Sequence, residues 1–483
     1  MLNSVDFSGR PFHFIGVGGI GMSALAYVLA RRQLPVFGSD LRLSHITQRL
    51  KENGVQIFWN QAGANIAYVA DAAGQLPQVV CSTAISESNA EYKAAVELGC
   101  PIFHRSDILA ALMAQYEGIA VAGTHGKTTT SSLLGYLLVK AGIDPTVVIG
   151  GEVAELGGNA YVGQGTALVA EADESDGSLV KLSAKIGIIT NVELDHPDHY
   201  SSLDQVVAIF ETFSRQCDIT VGCVDCPTVR SQLSPTVSYS LDASSGADYI
   251  ATNIHQSAQG TQATIWERGQ QLGPMQLGLL GLHNLSNALA VVAVARLLGL
   301  EFSTIANLMP GFVGARRRFD RRGFHNQILF VDDYAHHPSE IKVTLAAAKL
   351  QSTEPLPSGL ERRVVAVFQP HRYSRTVALL QEFVTAFGDA DRVIVTDIYA
   401  AGETNEAGMS GQNVADALAE HHTQVEYAAT LEMVQARLIE TLQPGDIAIF
   451  LTAGNLNRIL PEVMAAHANR PQSQPTVELL SSV

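Results

Sequence analysis

The chain has 483 residues, 47% of them hydrophobic and 16% charged, with a formal net charge of −16. That length suits about three domains, each large enough to bury its own core, and the composition excludes a disordered chain. The acidic balance argues against nucleic acid or anionic membrane as a partner, so any positive groups that bind phosphates must be gathered locally.

Residues 1–10 lack a basic flank followed by an apolar core, so no signal peptide is read. The apolar stretch from Leu289 to Leu300 is broken by Arg296 and is too short to span a bilayer, which argues against membrane insertion. Five cysteines, an odd number, suit a reducing compartment, and the cytoplasm is the expected location.

In chain order, Phe12–Ile15 reads as a strand, Met22–Gln33 as a helix and Pro35–Ser39 as a second strand ending at Asp40. Between the first two, Gly16-Val-Gly18-Gly19-Ile-Gly21 fits the spacing of a loop that recognises a pyrophosphate. Alone it would suit NAD or FAD. Any nucleotide diphosphate could supply that pyrophosphate, however, and the motifs downstream favour a UDP-type ligand. A strand at Val79–Cys81 and a helix at Asn89–Leu98 complete a small parallel α/β unit, expected to end at 116.

The middle segment opens on an apolar run, Ile119–Ala122, then Gly123-Thr124-His125-Gly126-Lys127-Thr128-Thr129-Thr130, then an amphipathic run from Ser131 to Lys140. Strand, glycine loop and helix in that order aim loop amides and a helix N-terminus at one point, which binds phosphate oxygens. Lys127 would reach the β/γ-phosphates and the Thr128 hydroxyl would sit on Mg²⁺. Val121 stands where the common phosphate loop has its first glycine.

Strands are expected at Ala167–Ala170, Ile186–Thr190 and Thr220–Cys223. The first runs into Glu171-Ala-Asp173-Glu174-Ser-Asp176, a set of hard oxygen ligands suited to Mg²⁺. The second runs into Asn191-Val-Glu193-Leu-Asp195-His196-Pro-Asp198-His199, where the oxygen-rich setting favours magnesium over zinc. Cys223-Val-Asp-Cys226 has ligand spacing but no second pair to complete four ligands, so it reads as a strand ending in a turn.

An antiparallel patch is expected over Val237–Leu280 and a helix over Asn284–Leu298. Before that helix, His283, Asn284 and Asn287 could read an adenine edge, with Asn284 also able to cap it. The cluster Arg316, Arg317, Arg318, Arg321 and Arg322 reads as a hinge that brings an arginine to a triphosphate, rather than as a patch for RNA.

The last segment has apolar strands at Ile328–Val331, Val364–Phe368, Val393–Thr396 and Ile447–Leu451, with polar groups at their C-terminal ends, where open parallel sheets bind ligands. Asp332-Asp333-Tyr334-Ala-His336-His337-Pro338 and Gln369-Pro-His371-Arg372-Tyr-Ser-Arg375 are two such ends. Arg372 and Arg375, sharing one face of a helix start, would suit a carboxylate or phosphate. A Pro-, Gln- and Ser-rich stretch from His467 reads as a loose tail.

Together these motifs resemble the Mur ligase family, the ATP-dependent amino-acid ligases of peptidoglycan synthesis, from Gly16 to Asn455. Within the family they look like the member that adds the first amino acid. The resemblance implies an α/β chain with a Rossmann-like UDP-sugar domain at 1–116 and a central P-loop ATPase domain at 117–322. A C-terminal Rossmann-like domain at 323–466 would follow, then the tail at 467–483. It implies ATP and Mg²⁺ as cofactors, and L-alanine joined to the carboxylate of UDP-N-acetylmuramate through an acyl phosphate.

By motif, Gly123, Thr124, His125, Gly126, Lys127, Thr128 and Thr129 would hold ATP. His283 and Asn287 would contact adenine, Arg318 the triphosphate and Asp333 the ribose. Thr128, Glu171 and His196 would coordinate magnesium, with Glu174 a further candidate. Gly16, Gly18, Gly19, Gly21, Ser82 and Thr83 would line the UDP-sugar. His336, Arg372 and Arg375 would face the substrate carboxylate and incoming alanine, with His196 or His336 as the base. Three positions depart from the family pattern: Leu282, where arginine is common, and Thr452 and Asn455, where glycine and aspartate are common. An NAD-dependent oxidoreductase would leave Lys127 and the acidic motif without a role, and a P-loop switch would turn over ATP without any amino acid.

Overall fold

Short apolar runs build three sheets in the computed structural model, which describes residues 4–469 other than 198, 354, 355, 357, 358 and 360. The first contains β1 (Phe12–Ile15), β2 (Val36–Ser39), β3 (Gln56–Phe58), β4 (Gln78–Cys81) and β5 (Ile102–His104). They lie in the order β3-β2-β1-β4-β5 and pair in parallel throughout. β1 is buried at every position, as a strand covered on both faces must be. The strand order reverses at β1, so the loops after β1 and β4, with Gly16–Gly21 and Ser82-Thr83, open side by side at a switch point.

The second sheet has ten strands. They are β6 (Glu117–Ala122), β7 (Thr146–Val153), β8 (Gly158–Tyr161), β9 (Ala167–Glu171), β10 (Ala184–Ile189), β11 (Cys217–Cys223), β12 (Val237–Ser240), β13 (Tyr249–Ser257), β14 (Gly260–Glu267) and β15 (Gln270–Leu277). Their order is β15-β14-β13-β12-β11-β10-β6-β9-β7-β8. The expected antiparallel patch is the meander β13–β14–β15; it starts later than expected, because β12 and β13 still pair in parallel.

Helix Lys127–Lys140 begins directly on the glycine loop and is buried on almost every side from Thr128 to Leu138. The expected amphipathic pattern from Ser131 is therefore not realised: the sheet covers one side of the helix and helix Leu282–Leu297 another. Helix Ile20–Arg31 is similarly apolar because it packs on β7 and β8 as well as on its own sheet. One buried cluster contains Phe12, Phe14 and Leu25 together with Leu168, Ala170 and Phe210, so the first two sheets share a continuous core within one compact unit that ends at Arg316.

A second unit begins at Arg317. Its sheet holds β16 (Asp320–His325), β17 (Ile328–Asp333), β18 (Val364–Phe368), β19 (Arg392–Val395), β20 (Val425–Tyr427) and β21 (Ile447–Leu451), in the order β16-β17-β21-β18-β19-β20. All pairings are parallel except β16 against β17. β16 corrects the reading of the arginine cluster as one hinge, because Arg321 and Arg322 lie inside a strand, with Arg321 opposite Val331. Arg317 donates to the Thr452 carbonyl, and Arg322 lies 3.5 Å from the buried Asp332 carboxylate, so both serve the unit's own packing.

Helix Leu460–Ala468 includes His467, buried with its Nε2 3.3 Å from the Leu438 carbonyl, so the loose tail does not start there. The rest of that expected tail, from 470 on, lies outside the described residues, as does Asp198. Among the described residues no helix is long and apolar enough to cross a membrane.

Candidate active site

The turn from β6 into helix Lys127–Lys140 depends on two glycines. Gly123 has φ +137°, and a Cβ there would overlap the Thr190 hydroxyl; Gly126 has φ +83°, and its Cβ would meet Asn287 Oδ1 at 2.7 Å. Gly126 is the N-cap and no side chain caps the helix, so the first-turn amides face a ligand position. The segment after β10 clasps the loop from outside. His125 N donates to Asn191 Oδ1 at 2.8 Å, Thr190 Oγ1 donates to the His125 carbonyl at 2.6 Å, and Glu193 N donates to Thr124 Oγ1 at 2.9 Å. Thr129 is buried in the first turn.

Lys127 folds back over this loop. Its Nζ donates to the Gly123 carbonyl at 2.6 Å, to the Thr124 carbonyl at 3.1 Å and to Glu174 Oε1 at 2.9 Å. Burial works against the ammonium, but Glu174 and Asp173 more than offset it and hold its pKa above the usual lysine value. Burial, with help from Asp173, pushes Glu174 up to about 7 against the pull of Lys127. A phosphate arriving here would meet a cation already placed at the loop.

The magnesium candidates fall into two pairs. Thr128 Oγ1 donates to Glu171 Oε1 at 3.2 Å, while His196 Nε2 lies 3.8 Å from Glu174 Oε1 and 3.7 Å from Asp195 Oδ2. Hydroxyl and carboxylate oxygens at the phosphate loop are the donors a hard divalent cation requires. His196 has φ +55°, a left-handed conformation held by its own N–H on Asp195 Oδ1 at 2.6 Å and by its carbonyl, which accepts from Tyr200 N at 2.9 Å.

Next to the loop, Gly281 rather than Asn284 caps helix Leu282–Leu297; Asn284 instead donates to the Leu280 carbonyl at 2.8 Å. Asn287 is the member of the trio that touches the phosphate loop. Burial pushes His283 down to about 4, so it is neutral at physiological pH. Leu282, where the family pattern has arginine, is exposed.

In the first sheet, Gly16 has φ +77° and its N–H donates to the Ser39 carbonyl. Gly18 N donates to Asp40 Oδ2 at 2.8 Å, Gly19 N donates to the Gly16 carbonyl, and a Cβ on Gly21 would lie 3.5 Å from Arg105. Ser82 is half-buried and Thr83 exposed; Ile85, two residues on, would lie 3.6 Å from a Cβ on Gly16.

In the second unit, Asp333 ends β17 and accepts from Phe319 N at 2.6 Å and Ala335 N at 2.7 Å; burial pushes it up to about 6 against the pull of Arg318. The Arg318 guanidinium lies 5.2 Å above the Tyr334 ring. His336 Nδ1 is 2.8 Å from the Tyr334 carbonyl, which can only accept, so Nδ1 carries the proton. Its ring lies 5.7 Å from that of His371, which stacks on Tyr399.

The two expected arginines do not share a helix face. Arg372, at φ +70°, is the N-cap of helix Tyr373–Ala378 and lies 3.4 Å from Glu403, whereas Arg375 turns inward, 2% exposed, with Nη1 3.1 Å from His371 Nδ1.

Thr452 and Asn455, the other two departures, share a partner. Gln369 Oε1 accepts from Thr452 Oγ1 at 2.9 Å and from Asn455 N at 2.9 Å, while its Nε2 donates to Asn455 Oδ1 at 2.9 Å. The two side chains therefore knit the ends of β18 and β21 together. Sequence reasoning assigned no role to Gln369, Thr190, Asn191 or Arg105. Each stands at or just after the C-terminal end of a parallel strand, and that position is the signal that could have found them.

Fold and site define an α/β nucleotide-binding protein with its phosphate loop in a central domain. Residues 11–117 match the Mur ligase family, catalytic domain; 121–295 the Mur ligase middle domain; and 317–454 the Mur ligase, glutamate ligase domain. The chain belongs to the Mur ligase family. It is 59% identical over 478 residues to the UDP-N-acetylmuramate–L-alanine ligase of Nostoc punctiforme, covering 96% of this chain and 98% of that one. It is 60% identical over 476 residues to the enzyme of that name from Synechococcus elongatus, covering 97% and 99%. The crystal structure of UDP-N-acetylmuramate-alanine ligase from Thermotoga maritima superposes with a TM-score of 0.79 at 27% identity, covering 94% of this chain and 98% of that one.

Proposed function

We propose that this chain is an ATP-dependent ligase that joins L-alanine to the lactyl carboxylate of UDP-N-acetylmuramate, in cytoplasmic peptidoglycan precursor synthesis. The observation that carries the ATP-driven chemistry is the cradle of Gly123–Thr128 amides with Lys127 held across it. Near full-length kinship with relatives named for that reaction supplies the substrates.

A carboxylate oxygen of the sugar acid attacks the γ-phosphorus, ADP leaves, and the acyl phosphate forms. Alanine's amine then attacks the carbonyl carbon, and the tetrahedral intermediate expels phosphate. Both steps build negative charge on oxygens, so fixed donors aimed at those oxygens are the main catalytic resource. Lys127 would exchange its two carbonyl contacts and Glu174 for the β/γ-phosphates, and the first-turn amides would hold the remaining oxygens. Thr128 and Glu171 fit Mg²⁺, with His196 and Glu174 as the second pair of candidates, and the ion when bound would neutralise phosphate charge. Neutral His283 and Asn287 would meet the adenine region, Arg318 the triphosphate and Asp333 the ribose. The glycine loop Gly16–Gly21 with Ser82 and Thr83 would line the UDP-sugar. His336 and Arg372 would serve the carboxylate and the amino acid, Arg375 would hold the His371 ring from the interior, and His196 or His336 would take the ammonium proton.

Phosphate release measured over a panel of amino acids tests this reading. Release should require ATP, UDP-N-acetylmuramate and L-alanine together; sustained release without any amino acid would favour a P-loop switch instead.

A further inference from the structure

Arg105 opens helix Arg105–Met113 at the end of β5, in the first domain, yet its guanidinium serves the acidic motif of the central one. Nη2 lies 2.8 Å from Asp173 Oδ2 and 3.3 Å from Asp176 Oδ2. Arg105 is 25% exposed, Asp176 10% and Asp173 31%. Asp173 directly precedes Glu174 in the chain. Lys127 is paired with Glu174 at 2.8 Å. Charges therefore alternate from the sugar-binding domain to the phosphate loop: Arg105, Asp173, Lys127, Glu174. At the other end, Arg105 borders Gly21 of the glycine loop.

We propose that Arg105 is a positioning residue that neutralises Asp173 and Asp176, so that Lys127 can leave the acidic motif for the phosphates of ATP. Without that guanidinium, two partly buried carboxylates lose their cation. Lys127, paired with the neighbouring Glu174, would then be drawn toward them, and they would repel the incoming triphosphate. The role is electrostatic, so removing one of the carboxylates should compensate: Arg105→Gln with Asp173→Asn carries the same net charge as the native site. The inference rests on Lys127 as the phosphate ligand.

The test is isothermal titration of the full chain with β,γ-imido-ATP and Mg²⁺. Arg105→Gln should weaken binding about tenfold, in the usual range of site-to-site coupling. Arg105→Lys, which keeps the charge, and the Arg105→Gln/Asp173→Asn double variant should both bind within about threefold of the native chain. Native-like binding by Arg105→Gln overturns the proposal, and so does a double variant no better than the single one. If Arg105→Gln shows no cooperative melt, Arg105→Lys and the double variant decide, and weak binding by both overturns it. Failure of the native chain to bind the nucleotide would instead sink the reading of Lys127.

Discussion

Lys127 is the residue on which the phosphate chemistry turns, and its contacts with two loop carbonyls and Glu174 set its ammonium at the loop. Lys127→Ala should lower the ligation rate about a thousandfold or more, as loss of comparable phosphate-charge stabilisers does. A rate near native in a steady-state assay would contradict the assignment. Gly123→Ala should abolish nucleotide binding by calorimetry, because its φ of +137° and the Thr190 hydroxyl leave no room for a Cβ. Asp333 supplies a pH test. With its pKa raised from 3.8 to about 6, the carboxylate is ionised above that pH and gains a proton as pH falls through it. A ribose hydroxyl donates best to the ionised form, so KM for ATP should rise as pH drops from 7 through 6. Asp333→Asn should lose the part of that rise centred near 6, leaving only what Glu174 contributes near 7; identical pH profiles for the two proteins would remove Asp333 from the ribose site.

At the scale of elements, helix Leu203–Arg215 shows how the first unit is held together. Val206, Phe210 and Phe213 fall on one face at helical spacing and are buried in the cluster shared by two sheets. Phe210→Ala should cost about 3–5 kcal/mol, read as a lowered urea midpoint of the first unit's unfolding; a loss under about 1 kcal/mol would contradict this packing. Elements covered on both faces were the readable ones. β18 and β21 are continuous apolar runs, β1 is one but for the buried His13, and the structure places all three where their sequence does. β16 was not readable, because an exposed edge strand of sequence Asp-Arg-Arg-Gly-Phe-His has no apolar run or clean alternation. The three-residue strands β3 and β20 are too short to carry a period. Helix Lys127–Lys140 misled in the opposite way: a helix packed on two sides has no polar face to reveal its period.

Over the whole molecule, the site motifs were legible because parallel α/β sheets place function at strand C-terminal ends, and glycine loops have spacings fixed by backbone geometry. What the sequence could not show was which polar groups turn inward. Arg375 reads as a surface ligand and lies in the interior against His371, while Gln369, without an assigned role, joins β18 to β21. Arg105 was hidden for a related reason: its partners are 68 and 71 residues away. All these parts serve one chemical claim, that ATP activates the sugar acid's own carboxylate. The most direct measurement uses UDP-N-acetylmuramate labelled with ¹⁸O in both lactyl carboxylate oxygens, with mass analysis of the phosphate released when ATP and L-alanine are added. An acyl-phosphate path transfers one labelled oxygen into each phosphate. Phosphate carrying no label would contradict it.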